Sequence, residues 1–227
     1  MIRKTIKGLK QTIEAEQLAG INEIIVLPLV KLETKLKTGN ITLSGVREEV
    51  EKCQRCVLAK TRTNVVFGEG SIEADLMFIG EAPVAQEDRQ ARPFVGEAGQ
   101  LLTKIIESIG LKREEVFIAN ILKCRPPGNR NPLPGEIAEC SGYLYKQIKL
   151  IRPKVICGLG KFASQTLLKS DVPISRLRGK FYDYNGIKLM PTYHPAYLLR
   201  NPSGKKEVWK DMKMIAKELG LEIPKRK

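Results

Sequence analysis

Four of the five cysteines are laid out as Cys53-x-x-Cys56, Cys124 and Cys140. Sixty-seven residues separate Cys56 from Cys124, and fifteen separate Cys124 from Cys140. A CxxC pair closed by two distant cysteines is a way to pin a tetrahedral metal ion or an iron–sulfur cluster across a fold. The long stretch between the second and third cysteine reads as an enzyme core. The site would therefore staple a domain rather than form a small finger; the competing reading is a set of unrelated buried thiols. His194 is the only histidine of the chain. That removes every zinc site, and every mechanism, that needs two.

A second group of chemically capable residues falls in three polar segments, each following an apolar strand-like run. Gly80-Glu81-Ala82-Pro83 follows the first. Asn120 ends the second, which leads into the stretch from Lys123 to Pro132 with Arg125 and Arg130. His194 opens a third segment that continues to Pro202 and carries Arg200. In open α/β sheets ligands lie outside the carboxyl ends of the strands, so these segments should converge on one crevice. It would hold an acid, an amide, an imidazole and arginines suited to phosphate.

The elements that must position these groups can be read from periodicity. Strands are predicted over 75–80, 116–121 and 154–159, and a hairpin over 181–192 turns at Asn185-Gly186. Helices are predicted from a cap at Ser44, over 97–109 and ended by Gly110, from Pro134 to about 151, over 161–168 and over about 204–219. This β/α alternation gives an α/β fold: a three-layer sandwich with a central, mostly parallel four-stranded sheet flanked by helices. Residues 1–44 read as a lysine-rich, partly helical extension, 45–220 as the active domain and 221–227 as a basic tail.

Composition bounds the class. The 227 residues, 42% of them hydrophobic, suffice for one domain with an appendage. Lysine and arginine number 39 against 25 acids, a net charge of +14 that favours polyanions, nucleic acid first among them. No apolar run is long enough to cross a bilayer, and no apolar segment with a cleavage site follows the basic first ten residues. A cytoplasmic protein is expected, where cysteines favour metal over disulfides. Gly158-Leu159-Gly160-Lys161 mimics a dinucleotide fingerprint, but no acidic residue ends a following strand about twenty positions on. It reads as a tight strand-to-helix turn.

GEAPVAQED at 80–88, RPFVGEAGQLL at 92–102, N-x-x-K-CRPP-x-NRNP at 120–132 and HPAYLLRNP at 194–202 resemble the family-four, iron–sulfur uracil-DNA glycosylases of archaea and thermophilic bacteria. The resemblance covers about residues 44–220. It implies an enzyme of base-excision DNA repair that hydrolyses the N-glycosidic bond of uracil in DNA. It implies a [4Fe–4S] cluster on Cys53, Cys56, Cys124 and Cys140, which leaves Cys157 as a buried free thiol. By the same match, Gly80, Glu81 and Ala82 belong to the water-side motif, Phe94 stacks on the flipped base, Asn120 reads the uracil edge and His194 faces uracil O2. Glu87 is an acid near the base pocket, Leu198 the wedge entering the base stack, and Arg125, Arg130 and Arg200 stand near DNA. Uracil-containing DNA, single- or double-stranded, is the implied partner of a monomer.

Two departures stand out. Val84 replaces the glycine usual after the GEAP proline. Ala82 stands where other members of the superfamily carry a water-positioning aspartate, leaving Glu81, Glu87 or backbone carbonyls for that role. No histidine lies in the loop after the third cysteine, which argues against the covalent DNA trapping of some iron–sulfur relatives. The alternative function is a non-catalytic, basic nucleic-acid-binding module with a four-cysteine zinc site; a glycosylase with broader base choice is a third.

Overall fold

The computed structural model describes residues 41–224. The expected extension lies outside these residues except for 41–44, as do the last three residues of the expected tail. The chain enters at α1 (Leu43–Glu51), then follows β1 (Glu69–Gly70), β2 (Leu76–Gly80), α2 (Ala85–Gln90), α3 (Glu97–Ser108) and β3 (Phe117–Asn120). It continues through α4 (Pro134–Ile151), β4 (Val155–Leu159), α5 (Gly160–Leu168) and α6 (Ile174–Leu177). It ends with β5 (Tyr182–Tyr184), β6 (Ile187–Thr192), α7 (Pro195–Arg200) and α8 (Lys205–Glu218). No helix among the described residues is long and apolar enough to cross a membrane.

The sheet has six strands in the order β1-β3-β2-β4-β6-β5, where four were expected. The inner four are parallel and the two edge strands antiparallel. β1 escapes the sequence because it is two residues long, and its pairing rests on backbone approach. A Cβ on Gly70 would lie 1.8 Å from the Val116 carbonyl oxygen. α1 is capped by Thr42, whose Oγ1 accepts the Gly45 N–H at 3.1 Å, rather than by Ser44.

Alternation along β2 divides the core. Met77 and Ile79 face one layer with Val46 and Val50 of α1, Tyr143 and Leu144 of α4 and Ala163 of α5. Leu76 and Phe78 face the other, with Leu102 and Ile106 of α3 and Met212 and Ile215 of α8. Both faces of a parallel sheet are thereby covered, which accounts for strands that are apolar throughout. The inner strands run the same way, so Gly80, Asn120, Leu159 and Thr192 all finish on one edge. Past that edge the backbones stay joined: the N–H groups of Ile121 and Leu122 donate to the carbonyls of Gly80 and Glu81.

Asp211 of α8 secures the end of β6. It is fully buried, accepts the Thr192 hydroxyl at 2.6 Å and is paired by Arg178, whose Nε lies 3.1 Å away. Arg178→Met leaves that acid buried without its cation, and removing one partner of a buried pair costs about 3–5 kcal/mol. Denaturant unfolding should show a loss of this size, with β6 and the loop behind it losing hydrogen-exchange protection first. A change of under about 1 kcal/mol would show that Asp211 does not depend on Arg178.

Candidate active site

Gly80 is where the crevice is built. A Cβ at this position would lie 2.3 Å from Asn120 Oδ1 and 2.5 Å from Phe94 Cζ. Only a residue without a side chain lets the amide and the ring meet over the end of β2. Phe94 and His194 stand with ring centroids 5.6 Å apart, tilted by 32°. Asn120, Phe94 and His194, which lie far apart in the chain, are thus brought together around Gly80.

Asn120 is 1% exposed. Among the described residues, the buried side-chain polar atoms without a hydrogen-bond partner are its own Nδ2 and Oδ1. Leaving a buried donor and acceptor unmade costs about 1–3 kcal/mol each, so such a group calls for a ligand. A carboxamide offers one acceptor and a donor side by side, the complement of an imide edge.

Phe94 sits in the left-handed region, at φ 51°. That conformation is unfavourable for an aromatic residue and needs support. Backbone N–H groups of Phe94, Val95 and Val84 donate to the Glu87 carboxylate, the last at 3.2 Å. Arg113 donates to the Pro93 carbonyl at 2.6 Å and to Glu69. Gly99 lets the Phe94 carbonyl pass 1.8 Å from where a Cβ would be. Glu87 and Gly99 fall within the motifs quoted above, whereas Arg113 and Glu69 lie outside them. Glu87 is buried, and burial lifts its carboxyl to about 7 against the pull of those N–H groups. Its oxygens therefore face backbone amides and hold the Phe94 loop. Val84 leaves Glu87 in place: it caps α2 and is 39% exposed at the rim.

His194 caps α7, and its Nδ1 accepts the Ala196 N–H at 3.2 Å. Burial, with Arg200 adding like charge, lowers its pKa to about 4. The neutral ring with Nδ1 occupied as acceptor carries its proton on Nε2. Room for the ring comes from Gly160, at φ 84°, where a Cβ would stand 2.9 Å from the His194 Cβ. The second glycine of the dinucleotide-like run thus serves the histidine. Glu81 is half-buried at the same edge; burial raises its pKa and nearby Lys161 moderates the rise. Ala82 adjoins it, half-buried.

Two predicted DNA contacts are placed otherwise. Leu198 is 1% exposed in the core beside α3 and α8, so it has no free side chain to insert between bases. On the outer side of α7, Tyr197 and Leu199 are 38% and 43% exposed. Arg130 is engaged by Glu136 through two bonds of 2.9 and 2.6 Å, which fasten its loop to the start of α4. Arg125 is half-buried and donates to Asn129 at 2.7 Å, while Arg200 is exposed at the end of α7.

Cys53 and Cys56 lie in the loop just behind α1, Cys124 in the segment after β3 and Cys140 in the interior of α4. Cys124 and Cys140 are buried, Cys53 and Cys56 half-buried. Burial pushes Cys140 up to about 11, with Cys124 and Cys56 adding; burial likewise raises Cys124, with Cys56 and Cys53 adding. The four thiols thus share one neighbourhood. Donors already address two of the sulfurs: Arg62 Nη1 to Cys124 and the Lys123 N–H to Cys140, both at 3.2 Å. Such donors suit thiolates bound to metal, which relieves the cost of ionising buried thiols. Cys157, in β4, is wholly buried and outside this group.

A groove of about 890 Å³ lies elsewhere, among Arg152, Lys169, Tyr184 and Ile187 at the amino ends of β4 and β6. Ligands of open α/β sheets bind at the opposite edge, where the polar groups above converge.

Because His194 is the only histidine, its imidazole signals can be followed alone by NMR. They should report the Nε2–H tautomer at neutral pH and titrate near pH 4. The unfolded chain takes up that proton near pH 6.5. The stability this group confers is therefore complete above 6.5 and is lost as pH falls toward 4. A midpoint above 6 would show that the ring is not held neutral.

Comparisons with known proteins identify the family. The model of the uracil DNA glycosylase superfamily matches residues 67–213. A Type-4 uracil-DNA glycosylase of Archaeoglobus fulgidus is 43% identical over 191 residues, 81% of this chain and 96% of that protein. The protein of that name from Saccharolobus solfataricus is 48% identical over 78% of this chain and 86% of its own length. That from Thermotoga maritima is also 48% identical, over 70% and 83%. With the model spanning well over half of the sequence and these relatives covered nearly end to end, the chain belongs to the uracil DNA glycosylase superfamily, with its Type-4 members.

Proposed function

We propose that this protein removes uracil from DNA by hydrolysing the N-glycosidic bond, leaving an abasic site for base-excision repair. The single observation that carries the reading is the buried, unpartnered amide of Asn120, set between Phe94 and Gly80. Uracil presents O4 as acceptor next to N3–H as donor, and one carboxamide satisfies both. Cytosine presents the reverse pair.

A base inside a duplex cannot reach such a site, so it must be flipped out at a cost of a few kcal/mol. Stacking on Phe94 offsets part of this, by about 1–3 kcal/mol. The exposed Leu199, rather than the buried Leu198, is the side chain able to enter the gap in the stack. As the bond breaks, charge builds on uracil O2. A neutral His194 donating from Nε2 stabilises it without delivering a full proton. Glu81, half-buried and beside Lys161, is the carboxylate available to orient water toward the sugar. Glu87 acts through Phe94, as a positioning residue. The net charge of +14 brings the enzyme to its polyanionic substrate, with Arg200 near His194.

Cys53, Cys56, Cys124 and Cys140 would hold a [4Fe–4S] cluster, whose contribution is to lock three distant segments together. Four thiolates without a histidine suit either zinc or iron, and the resemblance of the cysteine pattern to the iron–sulfur glycosylases favours iron over the zinc-site alternative.

Uracil release from a uracil-containing oligonucleotide tests the function. The wild-type protein should release free uracil. Asn120→Asp keeps the shape but removes the donor, so it should slow uracil release and allow measurable cytosine release. Sites built on such bonds discriminate by about 10⁴–10⁵. No release by the wild-type protein overturns the reading; an unchanged base preference in Asn120→Asp removes Asn120 from it. Metal analysis tests the cofactor separately. Purified protein should be brown with about four irons per chain, and a colourless protein with one zinc would favour the binding-module alternative.

A further inference from the structure

Lys123 is 0% exposed, one of the largest wholly buried side chains. Its Nζ donates to the main-chain carbonyl of Asn120 at 2.9 Å and to Gln147 Oε1 at 2.6 Å. Gln147 is buried too, and its Nε2 donates to the Phe67 carbonyl at 2.9 Å. The main-chain N–H of Lys123 points the other way, to Cys140 Sγ at 3.2 Å, and the next residue is Cys124. One residue therefore grips the base-reading strand end with its side chain and the cysteine site with its backbone.

Both acceptors of the ammonium are neutral. A buried cation needs a counter-charge. Burial pushes the Lys123 ammonium down to about 7, and thiolate charge on Cys140 and Cys124 would act against that. An anionic four-thiolate centre would meet this need, and its loss would leave the lysine unpaired beneath Asn120. The amide of Asn120 has no side-chain partner of its own to fix it. Its direction is set by its backbone, and Lys123 holds the carbonyl of that backbone.

We propose that Lys123 is a positioning residue that couples the cysteine-bound cluster to base recognition: the cluster's negative charge holds the ammonium in place, and the ammonium holds Asn120. The proposal rests on the uracil-releasing function argued above.

The test uses full-length protein with Lys123→Met, which keeps the chain length without charge or donor, and Gln147→Leu, which frees the lysine head from its second acceptor. Iron content, single-turnover uracil release, DNA affinity, the uracil-to-cytosine release ratio and the cluster's reduction potential by protein-film voltammetry are compared with wild type. Lys123→Met should retain DNA affinity within about threefold, yet lose about 10–100-fold in uracil release and in base discrimination, as for a displaced reacting group. Its cluster potential should move to more negative values, because a cation beside the thiolates no longer favours the reduced form. Gln147→Leu should show the same changes, smaller. If Lys123→Met releases uracil and holds its potential within error of wild type, the coupling is refuted. The same holds if rate falls with the potential unmoved, which would mark a packing role only. If Lys123→Met fails to fold or to keep iron, Gln147→Leu decides: reduced discrimination with a shifted potential supports the coupling, and wild-type values of both refute it. A wild-type protein that releases no uracil fails the underlying function instead, and is told apart by that control.

Discussion

A buried carboxamide with neither donor nor acceptor satisfied is the constraint around which this molecule is arranged. Folding Asn120 into that state costs about 1–3 kcal/mol for each unmade bond, and a domain of this size has only about 5–15 kcal/mol to spare. In the role proposed for it the amide must also keep its orientation, since a half-turn about its last bond would exchange oxygen for nitrogen. Phe94 and the bare face of Gly80 confine it at one end. The Asn120 carbonyl, held by Lys123, confines it at the other. Neither side offers a competing hydrogen bond, and a competing bond would blunt the preference for ligand.

Parallel topology supplies the convergence at little further cost. Four strands running one way end on one edge, so residues dozens of positions apart in sequence arrive within one crevice without long excursions. Glycine then sets how closely they meet. At Gly80 the close approach is between amide and ring, at Gly99 between helix and the Phe94 turn, and at Gly160 between helix start and histidine. Each is a place where one methyl group would push a chemical group out of line. The left-handed Phe94 is the strained point of the site. Its support by Glu87 and Arg113 shows strain at a functional residue being met by hydrogen bonds from two other elements.

The inner strands, the main helices and the residues of the crevice were legible from the sequence, because apolar periodicity and strand-end position carry that information. Asn120, Phe94 and His194 were picked out from their motifs, and the structure brings them together. What was not legible depends on which face of a short helix turns inward. The segment from His194 to Pro202 reads as a strand-end loop but folds over Pro195–Arg200 as a helix, which buries Leu198 while exposing Leu199. Arg130 looks like a free cation until Glu136, six residues on, is seen to reach back to it. Glu87 reads as an acid near the base pocket, and the backbone amides that its carboxylate accepts carry no sequence signal. β1 carries no pattern at all in two residues.

The placement of the cysteines follows from where a sheet of this kind is weakest. Segments beyond strand ends have few apolar contacts and open first, yet here they carry the groups that must be held most closely. The chain answers by rooting Cys124 four residues after Asn120 and Cys140 inside α4, and by bringing Cys53 and Cys56 from the loop just behind α1. Joining these through one metal centre removes the freedom of the β3 loop in the same way that a cross-link closing a long loop does. A zinc ion would tether these segments as well. An anionic cluster on these thiolates would in addition set negative charge near a wholly buried lysine, whose ammonium donates to the Asn120 carbonyl.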